Sequence, residues 1–234
     1  KRKNLMGYYS TDGITKILSQ LNTDKNKLLK IINKTIFKNK INKKDLENFM
    51  YENEKKGLSG LILNLKYLKY FSIKFYKCIS RLNKLVYKEK GPGTAFVYSN
   101  LVKAGGMELF AEALIENGYL EYQDNIKDYD IKDNTIDSLS GKTFEKFKSE
   151  GRDLNTFYPA TFILITGGVD DLGEDLPEIK QKIVREVFNS KENSKGKLLK
   201  IVLGSQVMNE GITLKNIKEI HILDVHYNLG KVEQ

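Results

Sequence analysis

The sequence predicts an α/β fold: an open, mostly parallel sheet with helices on both faces, preceded by an N-terminal helical extension. Three observations carry that prediction. Residues 94–99, 160–166, 198–203 and 219–224 are short apolar runs of the kind found in strands buried on both faces. Between them lie stretches of about 12 residues with apolar positions at helical spacing, which is the alternation of βαβ units. Before residue 58 the period is helical.

In chain order, Ile14, Ile17, Leu18 and Leu21 share one helical face, and Leu28, Leu29, Ile32 and Ile36 share a second. Residues 10–12 and the pair Thr23 and Asp24 supply N-caps for these two helices. A third helix is expected over residues 42–56, with Leu46, Phe49 and Met50 inward and Gly57 as its stop. Residues 58–71 form an apolar bridge to a helix over 72–88, whose inner stripe is Phe75, Ile79, Leu82 and Val86. Cys78 lies beside that stripe and reads as core.

After Gly91 the period changes to the first strand, 94–99, and then to a helix over 107–118 that Gly118 ends. Residues 119–122 form a second strand. Residues 123–156 are polar and aperiodic, an insertion or mobile loop by this criterion. The third strand, 160–166, runs into Gly167 and Gly168. Pro177 suits the first turn of a helix carrying Ile179, Ile183, Val184 and Val187. A polar loop over 189–197, a fourth strand at 198–203 and a fifth at 219–224 complete the sheet.

The chain has 234 residues, 40% of them hydrophobic and 29% charged, an ordinary globular composition. At this length about 70% of the unfolded surface can be buried. One cysteine excludes an internal disulfide and points to a reducing compartment. No apolar run is long enough to span a bilayer, and the first residues lack a signal-peptide pattern. The formal charge of +9 divides unevenly. Residues 1–90 hold 22 Lys/Arg against 7 Asp/Glu, and residues 91–234 hold 17 against 23. Such a basic block favours a polyanion through counterion release, or is a solvated lysine face.

Several chemistries find no motif: there is no phosphate-binding G-x-x-x-x-G-K-S/T loop, no G-x-G-x-x-G, no C-x-x-C, no H-E-x-x-H and no G-x-S-x-G. His221 and His226 have no third ligand nearby, and His221 reads as a satisfied strand residue. Asp170, Asp171, Glu174 and Asp175 precede a helix, where carboxylates favour the positive end; no metal is assigned to them. In parallel sheets function gathers at the carboxyl ends of strands. That rule selects Ser99, Asn100, Thr166, Gly167, Gly204, Ser205 and Asp224, and backbone amides freed at such strand ends, flanked by Ser, Thr and Gly, suit phosphate oxygens.

Residues 200–214 (KIVLGSQVMNEGITL) and 217–224 (IKEIHILD) resemble motif V and the following strand of superfamily 2 helicases and translocases. Residues 96–100 (FVYSN) resemble motif IV, and 162–168 (FILITGG) the strand and turn between them. The wording is most similar to the large DNA virus branch, with the poxvirus nucleoside triphosphatase, the early transcription factor small subunit and giant-virus helicases. The resemblance covers residues 58–234 and implies a C-terminal RecA-like lobe, with residues 1–57 as a basic helical extension or inter-lobe segment. It implies that Ser99, Asn100, Lys103, Thr166, Gly167 and Ser205 lie near the nucleic-acid backbone, and that Glu210, Gly211 and Gln234 face ATP. ATP and Mg would be bound mainly by a first lobe that also carries the phosphate loop.

The family pattern continues Q-x-x-G-R-x-x-R, and Gln234 matches its first residue. The resemblance therefore implies a portion of a longer enzyme, inactive alone, whose partners are DNA or RNA, its first lobe and viral transcription machinery. Its expected location is intracellular: host cytoplasm, viral factory or virion. A non-catalytic RecA-like docking module of a viral transcription or packaging machine is the alternative, and the residues after Gln234 separate the two. A small-molecule-binding doubly wound domain also suits the fold but leaves the basic block unused.

Overall fold

A computed structural model describes residues 11–35, 37–38, 41–86, 92–103, 105–166, 178–208 and 212–224. The turn at Gly167 and Gly168, the acidic residues Asp170, Asp171, Glu174 and Asp175, Pro177, Glu210, Gly211, His226 and Gln234 lie outside the described residues.

The first two expected helices form α1 (Thr11–Thr35), which is kinked at Asp24, where φ is −154° and ψ is 70°. The kink has a side-chain cause. Thr23 Oγ1 donates to the Ser19 carbonyl (3.1 Å), and Asp24 Oδ1 accepts from the Lys27 amide (3.0 Å) as a new N-cap. Ile17, Leu21, Leu28, Leu29 and Ile32 are buried, as the spacing requires.

The expected third helix is replaced by a shorter one and a hairpin. Helix α2 (Lys43–Glu47), capped by Asn42, gives way to β1 (Tyr51–Glu52) and β2 (Leu58–Ser59), paired antiparallel. Asn53 makes the turn: its Oδ1 accepts from the Gly57 amide (2.8 Å) and its Nδ2 donates to Ser59 Oγ (3.0 Å). Asparagine offers the backbone a turn in place of a helix. Gly60 follows at φ +112°, where a Cβ would stand 2.9 Å from the Asn48 carbonyl oxygen. Phe49, Met50, Leu58, Ile62 and Leu63 are fully buried around this hairpin. Burying each such side chain contributes about 1.5–3 kcal/mol. The apolar bridge becomes α3 (Leu65–Leu68), and α4 (Ile73–Val86) buries the expected stripe together with Cys78.

The sheet holds β3 (Thr94–Tyr98), β4 (Leu120–Glu121), β5 (Thr161–Ile165), β6 (Ile201–Gly204) and β7 (Ile217–Ile222) in the order β4-β5-β6-β3-β7. All neighbouring pairs in it are parallel. Strand alternation divides the core. Ala95, Val97, Phe162, Ile201 and Leu203 join the residues of α4 and of α5 (Met107–Glu116) on one face, in the core that also includes α1. Ile163, Ile165 and Val202 face Val184 and Phe188 on the other. These two belong to the π-helical turn Val184–Phe188 that continues α7 (Glu178–Ile183). Ile179, placed inward by spacing, is exposed instead, and the buried positions are Val184 and Phe188 in the π turn.

Residues 123–156 are polar in sequence yet carry ordered local structure. Helix α6 (Phe144–Ser149) is capped by Thr143, and Phe147 packs edge-on against Phe157 with ring centroids 5.2 Å apart. Buried Asp137 accepts from the amides of Ser140 and Tyr158 at 2.6 and 2.8 Å. Periodicity could not show this, since the order comes from side chains satisfying turns.

The polar loop 189–197 is likewise organised by one buried residue. Asn193 Nδ2 donates to the carbonyls of Phe188 and Leu199 (3.0 and 2.8 Å), and its Oδ1 accepts from the amides of Leu198 and Leu199 (both 2.9 Å). Asn193→Ala strands four buried backbone groups, so urea denaturation should show a loss of about 3 kcal/mol or more.

Lys200, at the start of β6, is 1% exposed and donates to the Lys195 carbonyl (3.2 Å). Burial pushes its ammonium down from 10.5 to about 8, against the opposing pull of Asp137. The folded value lies below the unfolded one, so folding releases a proton in that window. Stability should therefore rise as pH goes from about 8 to about 10.5, by at most about 3 kcal/mol. In Lys200→Met the rise should be gone from the pH dependence of the urea midpoint.

Candidate functional site

The register of the sheet places the candidate residues. Tyr98 pairs with Gly204 on one side and Ile222 on the other, and Ile165 pairs with Gly204. One residue further on, Thr166, Ser205 and Ser99 stand abreast on three adjacent strands, which parallel sheets space about 4.8 Å apart. The Ser99 amide continues the ladder to the Gly204 carbonyl (3.2 Å), and the Leu223 amide does so to the Tyr98 carbonyl (2.8 Å). Strand order breaks between β6 and β3, the position where open α/β sheets form a crevice at their carboxyl edge.

Asn100 is the hub of this edge. Its amide donates to Asp224 Oδ2 (2.9 Å), and its Oδ1 accepts from the Tyr98 hydroxyl (2.7 Å) and from Gln206 Nε2 (3.2 Å). The end of β3 is thereby tied to the ends of β6 and β7 by side chains as well as by the ladder. Asp224 Oδ1 is buried and has no hydrogen-bond partner among the described residues. A carboxylate oxygen in that state calls for a donor, such as a hydroxyl or an ammonium group, and not for a phosphate.

The backbone corrects one expectation. Amides at this strand end are not left over for phosphate: those of Ser99, Asn100 and Leu101 bond to Gly204 O, Asp224 Oδ2 and Ser99 Oγ. The first amides of α5 are also engaged, Met107 with the Leu101 carbonyl (2.8 Å) and Glu108 with the Val102 carbonyl (3.0 Å). Gly106 permits this fold-back, because a Cβ there would fall 2.1 Å from the Leu101 oxygen. What the edge offers a ligand is side-chain chemistry: the Thr166 and Ser205 hydroxyls and the Nδ2 group of Asn100. Ser205 is buried, and its carbonyl accepts from the Met208 amide (3.0 Å). The Ser99 hydroxyl is buried and spent on a turn, bonding both amide and carbonyl of Leu101.

Lys103 is placed apart from this row, on the wall of a cavity beside α5. Gly167, Glu210, Gly211 and Gln234 are outside the described residues. Among the described residues no group of three His, Cys, Asp or Glu side chains could hold a metal ion, so no ligand set for Mg can be named here. His221 is satisfied, with Nε2 2.9 Å from Glu219 Oε2. Burial, followed by the Glu219 charge, pushes the Cys78 thiol well up, so it is no nucleophile. Gln206 and the anchoring role of Asp224 were missed by motif reading, although an aspartate ending a strand was the available signal.

The class that fold and edge define is an α/β domain compatible with a RecA-like lobe. The chain is 45% identical to a putative ATP-dependent RNA helicase of Acanthamoeba polyphaga mimivirus, over 99% of this chain and 20% of that protein. It is 28% identical to a second putative ATP-dependent RNA helicase of the same virus, over 81% of this chain and 26% of that protein. It is 22% identical to an early transcription factor large subunit homolog of African swine fever virus, over 71% of this chain and 13% of that protein. The chain thus spans about a fifth of the length of its mimivirus relative, and its homologues support a viral helicase class. No protein-family model and no solved structure matches it.

Removing the Asp224 carboxylate should loosen the edge without unfolding the sheet. In Asp224→Ala, amide hydrogen exchange at Asn100 should quicken about 10- to 100-fold, the equivalent of about 1–3 kcal/mol for a hydrogen bond to a charged group. Exchange at Ala95 and Val97 should stay as it is.

Proposed function

We propose that this chain is the C-terminal, second RecA-like motor lobe of a viral superfamily 2 ATP-dependent helicase or translocase. Residues 58–234 form the lobe, and residues 1–57 are a basic extension beside it. Thr166, Ser205, Asn100 and Ser99 form or support the edge that meets the nucleic-acid backbone, together with Gly167 and Lys103. Glu210, Gly211 and Gln234 complete a site for ATP and Mg held mainly by a first lobe elsewhere in the polypeptide. The lobe by itself is inactive.

The observation that supports this most directly is the row of Thr166, Ser205 and Ser99 on adjacent parallel strands, inside the segments with helicase-like wording. The Thr166 and Ser205 hydroxyls of that row can donate to phosphates without reading bases, which suits a motor that moves along any sequence, while Ser99 supports the edge through its turn. ATP-driven closure and reopening of two lobes would step these contacts along one strand.

The test is ATPase activity of the full-length polypeptide with and without single-stranded nucleic acid. Ser205→Ala combined with Thr166→Ala should lower stimulation at least tenfold, and wild-type affinity for the strand should fall linearly on a log–log plot against salt. Stimulation unchanged in the double variant would remove these residues from the path.

A second reading, a non-catalytic docking module of a viral transcription machine, draws on the relative named as an early transcription factor subunit homolog. It expects no stimulation even in the wild type.

A further inference from the structure

A cavity of about 490 Å³ lies between the β1–β2 hairpin, α1, α5 and strand β5, on the α5 side of the sheet. Its size is within the range of about 300–1,000 Å³ typical of small-ligand sites. Lys55 and Lys56 from the hairpin tip and Lys103 from the loop after β3 stand on its wall. Ile115, Phe162 and Leu164 give it an apolar side, and Glu108 adds a carboxylate.

We propose that this cavity receives one nucleotide unit, its base against Ile115 and Leu164 and its phosphate on Lys55, Lys56 and Lys103. The chemistry is amphipathic, as the wall is: an apolar ring at one end and an anion at the other. Glu108 can accept from an exocyclic amino group of the base. The remaining carboxylates are already occupied or opposed. Glu112 accepts from Ser59 Oγ (2.8 Å), and Glu121 lies near the ammonium of Lys180, which donates to the Leu164 carbonyl. Burial, which outweighs the opposing Glu121 charge, holds the Lys180 ammonium below its usual value, with a smaller push from Lys55.

The hairpin turns on Asn53, so the site is made by the same residues that replaced the expected helix. It is distinct from the row of hydroxyls at the carboxyl edge, with Lys103 as the bridge between the two. The proposal rests on reading the chain as part of a nucleic-acid motor. It names a second place where that motor holds its ligand, whether a nucleotide within a strand or a free one.

Binding of cytidine monophosphate and of a short oligocytidylate to the full-length polypeptide tests this, by equilibrium dialysis and fluorescence anisotropy. Two variants probe the two ends of the cavity: Lys55→Glu with Lys56→Glu, and Ile115→Trp, which fills the apolar side from a partly exposed position. Each should weaken the affinity at least tenfold, with urea midpoints within error of wild type. Losses for the oligomer alone mean a nucleotide held within a strand, and losses for the monophosphate alone mean a free one. Either outcome supports the site.

A loss only in the lysine variant, with Ile115→Trp binding as wild type, means general attraction and overturns it. So does wild-type affinity in both variants, or no binding of either probe to the wild type. If nucleic acid still stimulates the ATPase while both variants bind normally, this inference fails and the motor reading stands. If stimulation is absent but monophosphate binding is lost in both variants, the motor reading fails and the cavity stands.

Discussion

Parallel pairing of β3 with β6 on one edge and with β7 on the other aligns Tyr98 with Gly204 and Ile222. Because side chains in a strand repeat every two residues, a slip of one would exchange Ala95 and Val97 with Phe96 between the two cores. It would also move Ser99 out of line with Ser205. Packing on both faces therefore holds the register, and the register alone brings three polar residues from distant parts of the sequence into one row. The site is a by-product of the constraint that keeps the sheet buried.

Side-chain bonds then refine what the ladder aligned. Asp224, Asn100, Tyr98 and Gln206 tie the ends of three strands together, and Asp224 takes up the Asn100 amide that the end of β3 could have offered to an anion. The end of β3 is thus poor in free backbone donors, and the chemistry of the edge is carried by hydroxyl and amide side chains. The buried Asp224 Oδ1 is the one member of that network with an unmet hydrogen-bonding need among the described residues.

The uneven charge acquires a position as well. Part of the basic block is Lys55 and Lys56, which the hairpin carries to the wall beside Lys103. Elsewhere the lysines of α1 are solvated, and exposed charge of that kind sets association rates more than stability. Buried polar groups contribute differently: Asn193 and Asp137 each bond to the backbone of a segment that has no hydrophobic period, and their removal leaves those backbone groups without that partner.

Most of the sheet and of its helices was legible in the sequence, because burial on both faces leaves uninterrupted apolar runs and a helix leaves a stripe. The kink at Asp24, the inner stripe of α4, the ends of β3 and β5 and the satisfied state of His221 all follow from such local signals. The hairpin at 51–59, the order within 123–156, the π turn after α7 and the network around Asn193 were not legible. Apart from the π turn, each depends on a side chain bonding to backbone several residues or more away, an interaction that leaves no period. By itself the sequence determined the strands of the parallel sheet, most of the helices around it and which polar residues follow a strand. Only the tertiary structure decided which of those stand side by side, which hydroxyls are spent on turns and which lysines share a cavity, because neighbourhood across a sheet is set by register and not by order along the chain.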